Sequence, residues 1–149
     1  MAMASWRKVM TAGATVIGAL SLSVSPASAA PNWQPWVQPQ DYQCGTTTLH
    51  YHSVNIAHQT CIIRNPATNT YQAVNIVVNN HTEAVYLRAF VYKPGRNGYD
   101  ECTKTKIPAK TRVACYGDTA PATSAPISSH SSTFLNDAIA DDTTTVTYN

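Results

Sequence analysis

Apolar and polar residues alternate with a period of two through much of the segment from Gln43 to Gly117. Every second residue from 74 to 78 is Val or Ile, as expected for one face of a strand. In residues 84–92 one face is apolar, and the opposite face carries Tyr86, Arg88, Phe90 and Tyr92. The Asn-rich segment 79–82 between these two runs predicts a hairpin turn.

Shorter runs with the same alternation predict further strands at 46–52, 56–64, 102–106, 110–116 and 143–148. The Gly- and Asn-rich segment 93–98 predicts a second hairpin turn, whereas the Pro-, Ser- and Thr-rich segment 118–132 predicts a loop. No run has the period of a helix of three turns. Six to seven short strands predict an all-β fold, an antiparallel β-sandwich of the immunoglobulin-like kind or a small barrel.

The N-terminal segment has the three parts of a secretory signal peptide. Arg7 and Lys8 supply positive charge, residues 9–24 are apolar or small, and Ala27 and Ala29 fit the A-x-A cleavage rule. The apolar run is shorter than the ~20 residues that a membrane-spanning helix needs. We therefore expect cleavage after Ala29 and a secreted, extracellular protein that has no membrane anchor after cleavage.

The charge of the chain changes once the predicted signal peptide, residues 1–29, is removed. As many acidic as basic residues then remain, so the mature chain is formally neutral. A neutral chain lacks the electrostatic footprint of a nucleic-acid-binding protein, and we expect no nucleic-acid partner. The mature chain divides into a Pro-, Trp- and Gln-rich leader, residues 30–42, and a single domain, residues 43–149.

All four cysteines, Cys44, Cys61, Cys102 and Cys115, follow the predicted cleavage site. An even number of cysteines in an exported chain is typical of disulfides, and four cysteines allow three pairings. We favour Cys44–Cys61 with Cys102–Cys115, because each bond would then join neighbouring antiparallel strands. The sequence contains no close C-x-x-C pair, which disfavours a zinc site.

Several short motifs accompany the cysteines. Gly45 follows Cys44, a Val-x-Ile-x-Val-x-Asn strand spans 74–80, and an Ile-Pro-Ala turn at 107–109 precedes Val-Ala-Cys-Tyr-Gly at 113–117. Behind an export signal, this pattern resembles the small exported β-sandwich proteins of filamentous actinobacteria, most of which have no assigned function. The resemblance covers roughly residues 43–117 and implies an exported, disulfide-bonded sandwich. It carries over no catalytic residue.

Candidate metal ligands and reacting groups are few. His50 and His52 stand two apart on a predicted strand with His58 nearby, a spacing that zinc and copper sites use. The alternative is a solvated polar strand face, and because no convincing third ligand is identifiable we expect no metal and no cofactor. The acidic residues lie mostly in predicted turns and tails, and no G-x-S-x-G motif occurs. We therefore predict that the protein is not an enzyme.

The aromatic side of the strand at 84–92 is the most specific candidate for a binding site. We expect Tyr71 to lie across from it on the neighbouring strand. An exposed aromatic side would bind sugar rings or a partner protein, whereas a buried one would be the second side of a core strand. Burial is favoured because large exposed apolar patches are rare on monomers. The leader residues Trp33 and Trp36 would supply either the cover or a separate binding arm.

Charge is distributed unevenly along the mature chain. Residues 88–112 carry seven basic and two acidic residues, whereas residues 113–149 carry four acidic residues and no Lys or Arg. The basic region would meet an anionic wall polymer or an acidic protein, or it would only discourage aggregation of edge strands.

The sequence therefore predicts a secreted, non-catalytic protein that binds an extracellular polymer, a glycan or a protein. The residues expected to bind are Trp33, Trp36, Tyr86, Arg88, Phe90 and Tyr92. The alternative is a secreted inhibitor of proteases or hydrolases, with residues 93–102 as its reactive loop and Arg96 within it. A histidine-based metal protein is a weaker alternative.

Overall fold

The structure, a computed structural model, describes residues 32–122, 126–138 and 142–149. The predicted signal peptide and its cleavage site lie outside these residues. The described residues form ten β-strands and no α-helix. None of them belongs to a helix long and apolar enough to cross a membrane.

The strands, numbered in chain order, form two antiparallel sheets. They are β1 (Trp33–Pro35), β2 (Tyr42–Cys44), β3 (Thr48–His50), β4 (Ser53–Asn65), β5 (Thr70–Asn79), β6 (Val85–Tyr92), β7 (Tyr99–Ile107), β8 (Thr111–Pro121), β9 (Ile127–Leu135) and β10 (Asp142–Tyr148). A six-stranded sheet has the order β1-β8-β5-β4-β2, with β3 also paired to β4. A four-stranded sheet has the order β10-β9-β6-β7. This confirms the predicted all-β antiparallel sandwich, with more strands than the sequence indicated.

The centre of the six-stranded sheet is apolar on both sides. In β4, Ile56 and Ile62 point into the interior of the sandwich, where they join buried residues of the other sheet. Val74 and Ile76 of β5 lie on the outer side of the sheet, where Trp36 packs against them. Because both sides are covered, β5 is buried along most of its length.

The four-stranded sheet is centred on β6, which lies between β7 and β9. One row of its side chains is buried between the sheets: Val85, Leu87, Ala89 and Val91. Fully burying a side chain of Val or Leu size contributes about 1.5–3 kcal/mol, so this row fixes which side of β6 faces inward. The intervening residues therefore lie on the outer face of the sheet, as the alternation predicts.

The interior of the sandwich is polar in its middle part. Between Ile56 and Ile62 along β4, His58 and Thr60 are buried. The hydroxyl of Thr60 donates to the carbonyl oxygen of Thr144 at 2.7 Å and lies 2.6 Å from the hydroxyl of Ser131. Buried hydroxyls need such partners because an unpaired one loses its hydrogen bonds to water without replacement. The polar groups therefore tie β4 to β9 and β10.

Both favoured disulfides are present and confirmed. Cys44–Cys61 joins residues that lie directly opposite each other in β2 and β4. Cys102–Cys115 joins β7 to β8, which belong to different sheets. The expectation that this second bond joins neighbouring strands was wrong: it crosses the buried interior.

The segment 79–82 is not a hairpin turn, because β5 and β6 belong to different sheets. The chain crosses between the sheets here, and it crosses back between β7 and β8. The side-chain amide of Asn79 donates to the carbonyl oxygens of Glu83 at 3.1 Å and Pro108 at 3.0 Å, which ties the two crossings together. The turn at 93–98 does join neighbouring strands, β6 and β7, as predicted.

Most of the segment 118–132 is strand, and the prediction of a loop there was wrong. Strand β8 continues to Pro121, and β9 begins at Ile127. The inward residues of β9 include Ser129, Ser131 and Thr133, which are buried hydroxyl residues. A row of hydroxyls gives no apolar alternation, so the strand is hidden from a hydrophobicity pattern.

Candidate functional site

The outer face of the four-stranded sheet is the strongest candidate for a binding site. Tyr86, Arg88, Phe90 and Tyr92 lie on it, in the middle of the sheet, because the alternate residues of β6 are buried. Rings from the two flanking strands complete the group. We call the whole set the aromatic face: Tyr86, Arg88, Phe90, Tyr92, Tyr99, His130 and Phe134.

The rings of the aromatic face contact one another across strands. The centroid of the Phe90 ring lies 4.5 Å from that of Tyr99 and 5.1 Å from that of Phe134. The Tyr92 ring lies 5.6 Å from Tyr99 and stacks on His130 at 3.7 Å. Aromatic pairs contribute about 0.5–1.5 kcal/mol beyond their buried area, so these contacts hold the rings in fixed positions.

Arg88 extends the ring surface. Its guanidinium carbon lies 4.2 Å from the Phe134 centroid and 5.1 Å from the Phe90 centroid. Cations are attracted to ring faces at such distances. One guanidinium nitrogen also lies 3.9 Å from the carboxylate of Glu101.

Two tyrosines of the aromatic face are open to solvent. Tyr86 is 45% exposed and Tyr99 is 50% exposed. Tyr99 pairs with Tyr92, and the six residue steps from Tyr86 to Tyr92 span ~20 Å of extended strand. The expectation of burial does not hold for Tyr86, whereas Arg88, Phe90 and Tyr92 are half-buried and Phe134 is buried.

The leader tryptophans do not cover the aromatic face. Strand β1 pairs with β8, so the leader belongs to the six-stranded sheet. Trp36 stacks on Tyr116 at 6.2 Å on the outer side of that sheet, and the Trp33 indole nitrogen donates to the carbonyl oxygen of Thr103 at 3.1 Å. Both tryptophans anchor the leader to the sandwich. Tyr71, expected beside the aromatic strand, is instead buried in β5 of the other sheet.

A cleft of about 720 Å³ continues from one end of the aromatic face. It is lined by Tyr92, by parts of the turn at 93–98 and by residues 128–130 at the start of β9. At its base, the Lys93 ammonium lies 3.2 Å from both the Asp100 and the Asp118 carboxylates. The hydrogen bonds to Asp118 and then Asp100 raise the pKa of Lys93 above its ordinary value.

Of the loop predicted at 93–102, residues 93–98 form a tightly closed turn and residues 99–102 belong to β7. The Lys93 amide donates to the carbonyl oxygen of Gly98 at 3.1 Å, and the Arg96 amide donates to that of Lys93 at 3.2 Å. Gly95 and Gly98 have φ angles of 63° and 100°, which glycine adopts without steric cost. Binding by strand addition requires an extended segment, and the compact turn offers none ahead of β7. The inhibitor alternative stays a prediction.

The three candidate metal ligands are arranged differently from the expectation. His50 ends β3 and is buried, whereas His52 is exposed in the following turn, so they do not share a strand face. The His50 ring accepts a hydrogen bond at Nδ1 from the His52 amide and places Nε2 2.9 Å from the Thr133 carbonyl oxygen. Its ring centroid lies 5.7 Å from that of His58. Within the described ranges, no group of three His, Cys, Asp or Glu residues is placed to hold a metal.

The sequence pattern did not identify three members of the aromatic face: Tyr99, His130 and Phe134. Tyr99 precedes the strand predicted at 102–106, and β7 begins earlier than the pattern indicated. His130 and Phe134 lie in β9, most of which was read as loop. Their spacing of four places them on one face of a strand, a signal that becomes visible only once β9 is recognised.

Comparisons with protein-family models and with curated proteins yield no match. What the site can bind is therefore inferred from its own geometry. Fixed aromatic rings and a flat guanidinium can stack on the apolar side of another ring system, and the hydroxyl and amide groups of the cleft can form hydrogen bonds beside them.

Proposed function

We propose that the protein is secreted and binds an extracellular glycan polymer, without catalysis, through the aromatic face. One side of a pyranose ring presents C–H groups, which stack on aromatic rings, while its hydroxyls bind polar groups at the rim. The observation that carries this proposal is the exposure of Tyr86 and Tyr99 at the two ends of a row of fixed rings. A polymer lying along β6 would contact both.

The rigidity of the face supports binding of a repeating polymer. Tyr86 and Tyr99 lie on neighbouring strands of one sheet, so their separation is set by the backbone and not by a loop. Rings held in place lose little conformational entropy when a ligand binds, which favours weak repeated contacts along a chain. The ammonium of Lys104, which is paired with the Asp137 carboxylate, lies 4.9 Å from the Tyr86 centroid.

The export signal and the two disulfides support an extracellular site of action. Disulfides are typical of proteins that fold in oxidising compartments. The signal peptide is read from residues 1–29 of the sequence, which contain a charged start, an apolar run and an A-x-A site. Both features support the proposal that the mature protein meets glycans of the cell wall or of its surroundings.

The first test is retention of the mature protein on peptidoglycan, whole cell walls, chitin and cellulose. The double variant Tyr86→Ala/Tyr99→Ala should bind at least about tenfold more weakly than wild type on the matrix that retains it, because exposed aromatic anchors dominate such contacts. Tyr51→Ala is the matched control, since Tyr51 is 82% exposed in the turn between β3 and β4.

Retention should survive high salt, because stacking is not screened by ions as charge attraction is. Wild-type retention on none of the four matrices, or equal retention of wild type and the double variant, would overturn the proposal. Circular dichroism of each variant establishes that the loss is not caused by unfolding.

A further inference from the structure

The cleft at the end of the aromatic face carries an uncompensated positive charge. No carboxylate of the described residues lies within ion-pair distance of Arg96, which is exposed at the tip of the turn. Lys93, by contrast, is held by Asp100 and Asp118. No acidic side chain lines the cleft itself. The cationic group left for a ligand there is the guanidinium of Arg96.

The cleft is also continuous with the proposed glycan-binding surface. Tyr92 belongs both to the aromatic face and to the cleft lining. His130 stacks on it with ring centroids 3.7 Å apart, so the two rings form one fixed wall. Asn97 and Ser128 also line the cleft and carry an amide and a hydroxyl group. A glycan chain that lies along β6 therefore reaches the cleft without leaving the surface of the sheet.

We propose that this cleft binds an acidic group of the glycan, a carboxylate or a phosphate, through Arg96. The inference rests on the proposed function and names the class of polymer: an acidic polysaccharide. A guanidinium donates two parallel hydrogen bonds to a carboxylate or phosphate, and such charge-assisted bonds are about twice as strong as neutral ones. The aromatic wall then stacks on the sugar ring that carries the acid.

The test compares polygalacturonate with the same polymer after reduction of its carboxyl groups to alcohols. Wild type should bind the acidic form about tenfold more tightly, the effect of one bidentate charged pair. Arg96→Gln should lose this preference while still binding the reduced polymer. Arg112→Gln is the matched control, because Arg112 is an exposed arginine on β8 of the other sheet. Poly(glycerol phosphate) as a third probe separates phosphate from carboxylate recognition.

The outcomes distinguish this inference from the function on which it rests. Equal binding of acidic and reduced polymers, with the Tyr86→Ala/Tyr99→Ala variant impaired on both, would overturn the role of Arg96 and leave the aromatic face in place. An equal loss in Arg96→Gln and Arg112→Gln would show a general charge effect and would also overturn it. If wild type binds none of these probes, the acidic polymer is rejected. Retention on the four matrices then shows separately whether the aromatic face binds a glycan.

Discussion

At the scale of single residues, Thr60 connects the two sheets through its hydroxyl. This group donates to the Thr144 carbonyl oxygen at 2.7 Å and lies 2.6 Å from the Ser131 hydroxyl and 2.7 Å from the Thr144 hydroxyl. One donor and two lone pairs are then all used, which is the full capacity of a hydroxyl. The buried polar centre is therefore specific to one register of β4, β9 and β10.

Thr60→Val keeps the shape of the side chain and removes this hydroxyl. We expect the free energy of unfolding to fall by about 1–3 kcal/mol, because buried partners lose their hydrogen bonds without gaining water. Urea denaturation measures the change, with Thr119→Val on the exposed side of β8 as the control. Unchanged stability in Thr60→Val would contradict the role given to the polar centre.

The hydrogen bond of Tyr148 predicts that the folded protein loses stability at alkaline pH. Its hydroxyl donates to the Asp41 carboxylate at 2.6 Å, and this bond, followed by burial, raises the pKa of Tyr148 above its ordinary value. The folded state therefore holds this proton more tightly than the unfolded state. The resulting stabilisation is complete below the unfolded pKa and is lost as pH rises through the folded pKa.

Asp41→Asn removes the charge that holds this proton, so the ionisation of Tyr148 should move to lower pH. Ultraviolet difference titration of wild type and Asp41→Asn measures it, and Tyr148→Phe identifies the signal that belongs to Tyr148. Identical titration curves for wild type and Asp41→Asn would show that the Asp41 contact does not hold the proton in solution.

At the scale of strands, the two disulfides act at different places. They close segments of similar length, with sequence separations of 17 and 13, so each should stabilise by about 3 kcal/mol through chain entropy. Cys102 and Cys115 are both fully buried between the sheets, whereas in the other disulfide Cys61 is fully buried and Cys44 is only half-buried. Replacing both Cys102 and Cys115 therefore also leaves the larger cavity in the core.

The double variant Cys102→Ala/Cys115→Ala should therefore be less stable than Cys44→Ala/Cys61→Ala, by about 1 kcal/mol or more. Guanidinium denaturation of both variants and of the wild type gives the comparison. Equal losses, or a greater loss in the Cys44→Ala/Cys61→Ala variant, would contradict the assignment of the buried bond as the link between the sheets.

Strands with a clear apolar alternation, such as β6, were predicted correctly. The alternation in β6 identified both its buried row and the outward Tyr86, Arg88, Phe90 and Tyr92, which is the centre of the candidate site. Strand β9 was missed because its inward row is Ser129, Ser131 and Thr133, whose partners are polar groups far away in sequence. With β9 missing, two of the three flanking rings, His130 and Phe134, were missing too.

The sequence pattern also did not show to which of the two sheets each strand belongs. A turn of Asn residues after β5 looks like a hairpin, yet the Asn79 amide bonds backbone groups at Glu83 and Pro108 and directs the chain to the other sheet. Period-two alternation shows which side of a strand is buried but not which strand lies beside it. The contact of Trp36 with β8 was not predictable for the same reason, because it depends on which strands are neighbours.

At the scale of the whole molecule, the two sheets present different outer surfaces. The outer side of the six-stranded sheet is covered in part by the leader, where Trp36 stacks on Tyr116. The four-stranded sheet leaves Tyr86 and Tyr99 exposed to solvent. The sandwich thus has one side that is partly covered by its own leader and one side on which Tyr86 and Tyr99 are exposed.

The most direct measurement of the central claim is a residue-resolved NMR titration with soluble fragments of peptidoglycan, chitin and cellulose. With the fragments of the retained polymer, the signals of Tyr86 and Tyr99 should shift and saturate together, while those of Trp36 and Tyr51 stay unchanged. Saturable shifts centred on Trp36 and Tyr116, or no saturable shift with any fragment, would contradict the assignment of the aromatic face as the binding surface.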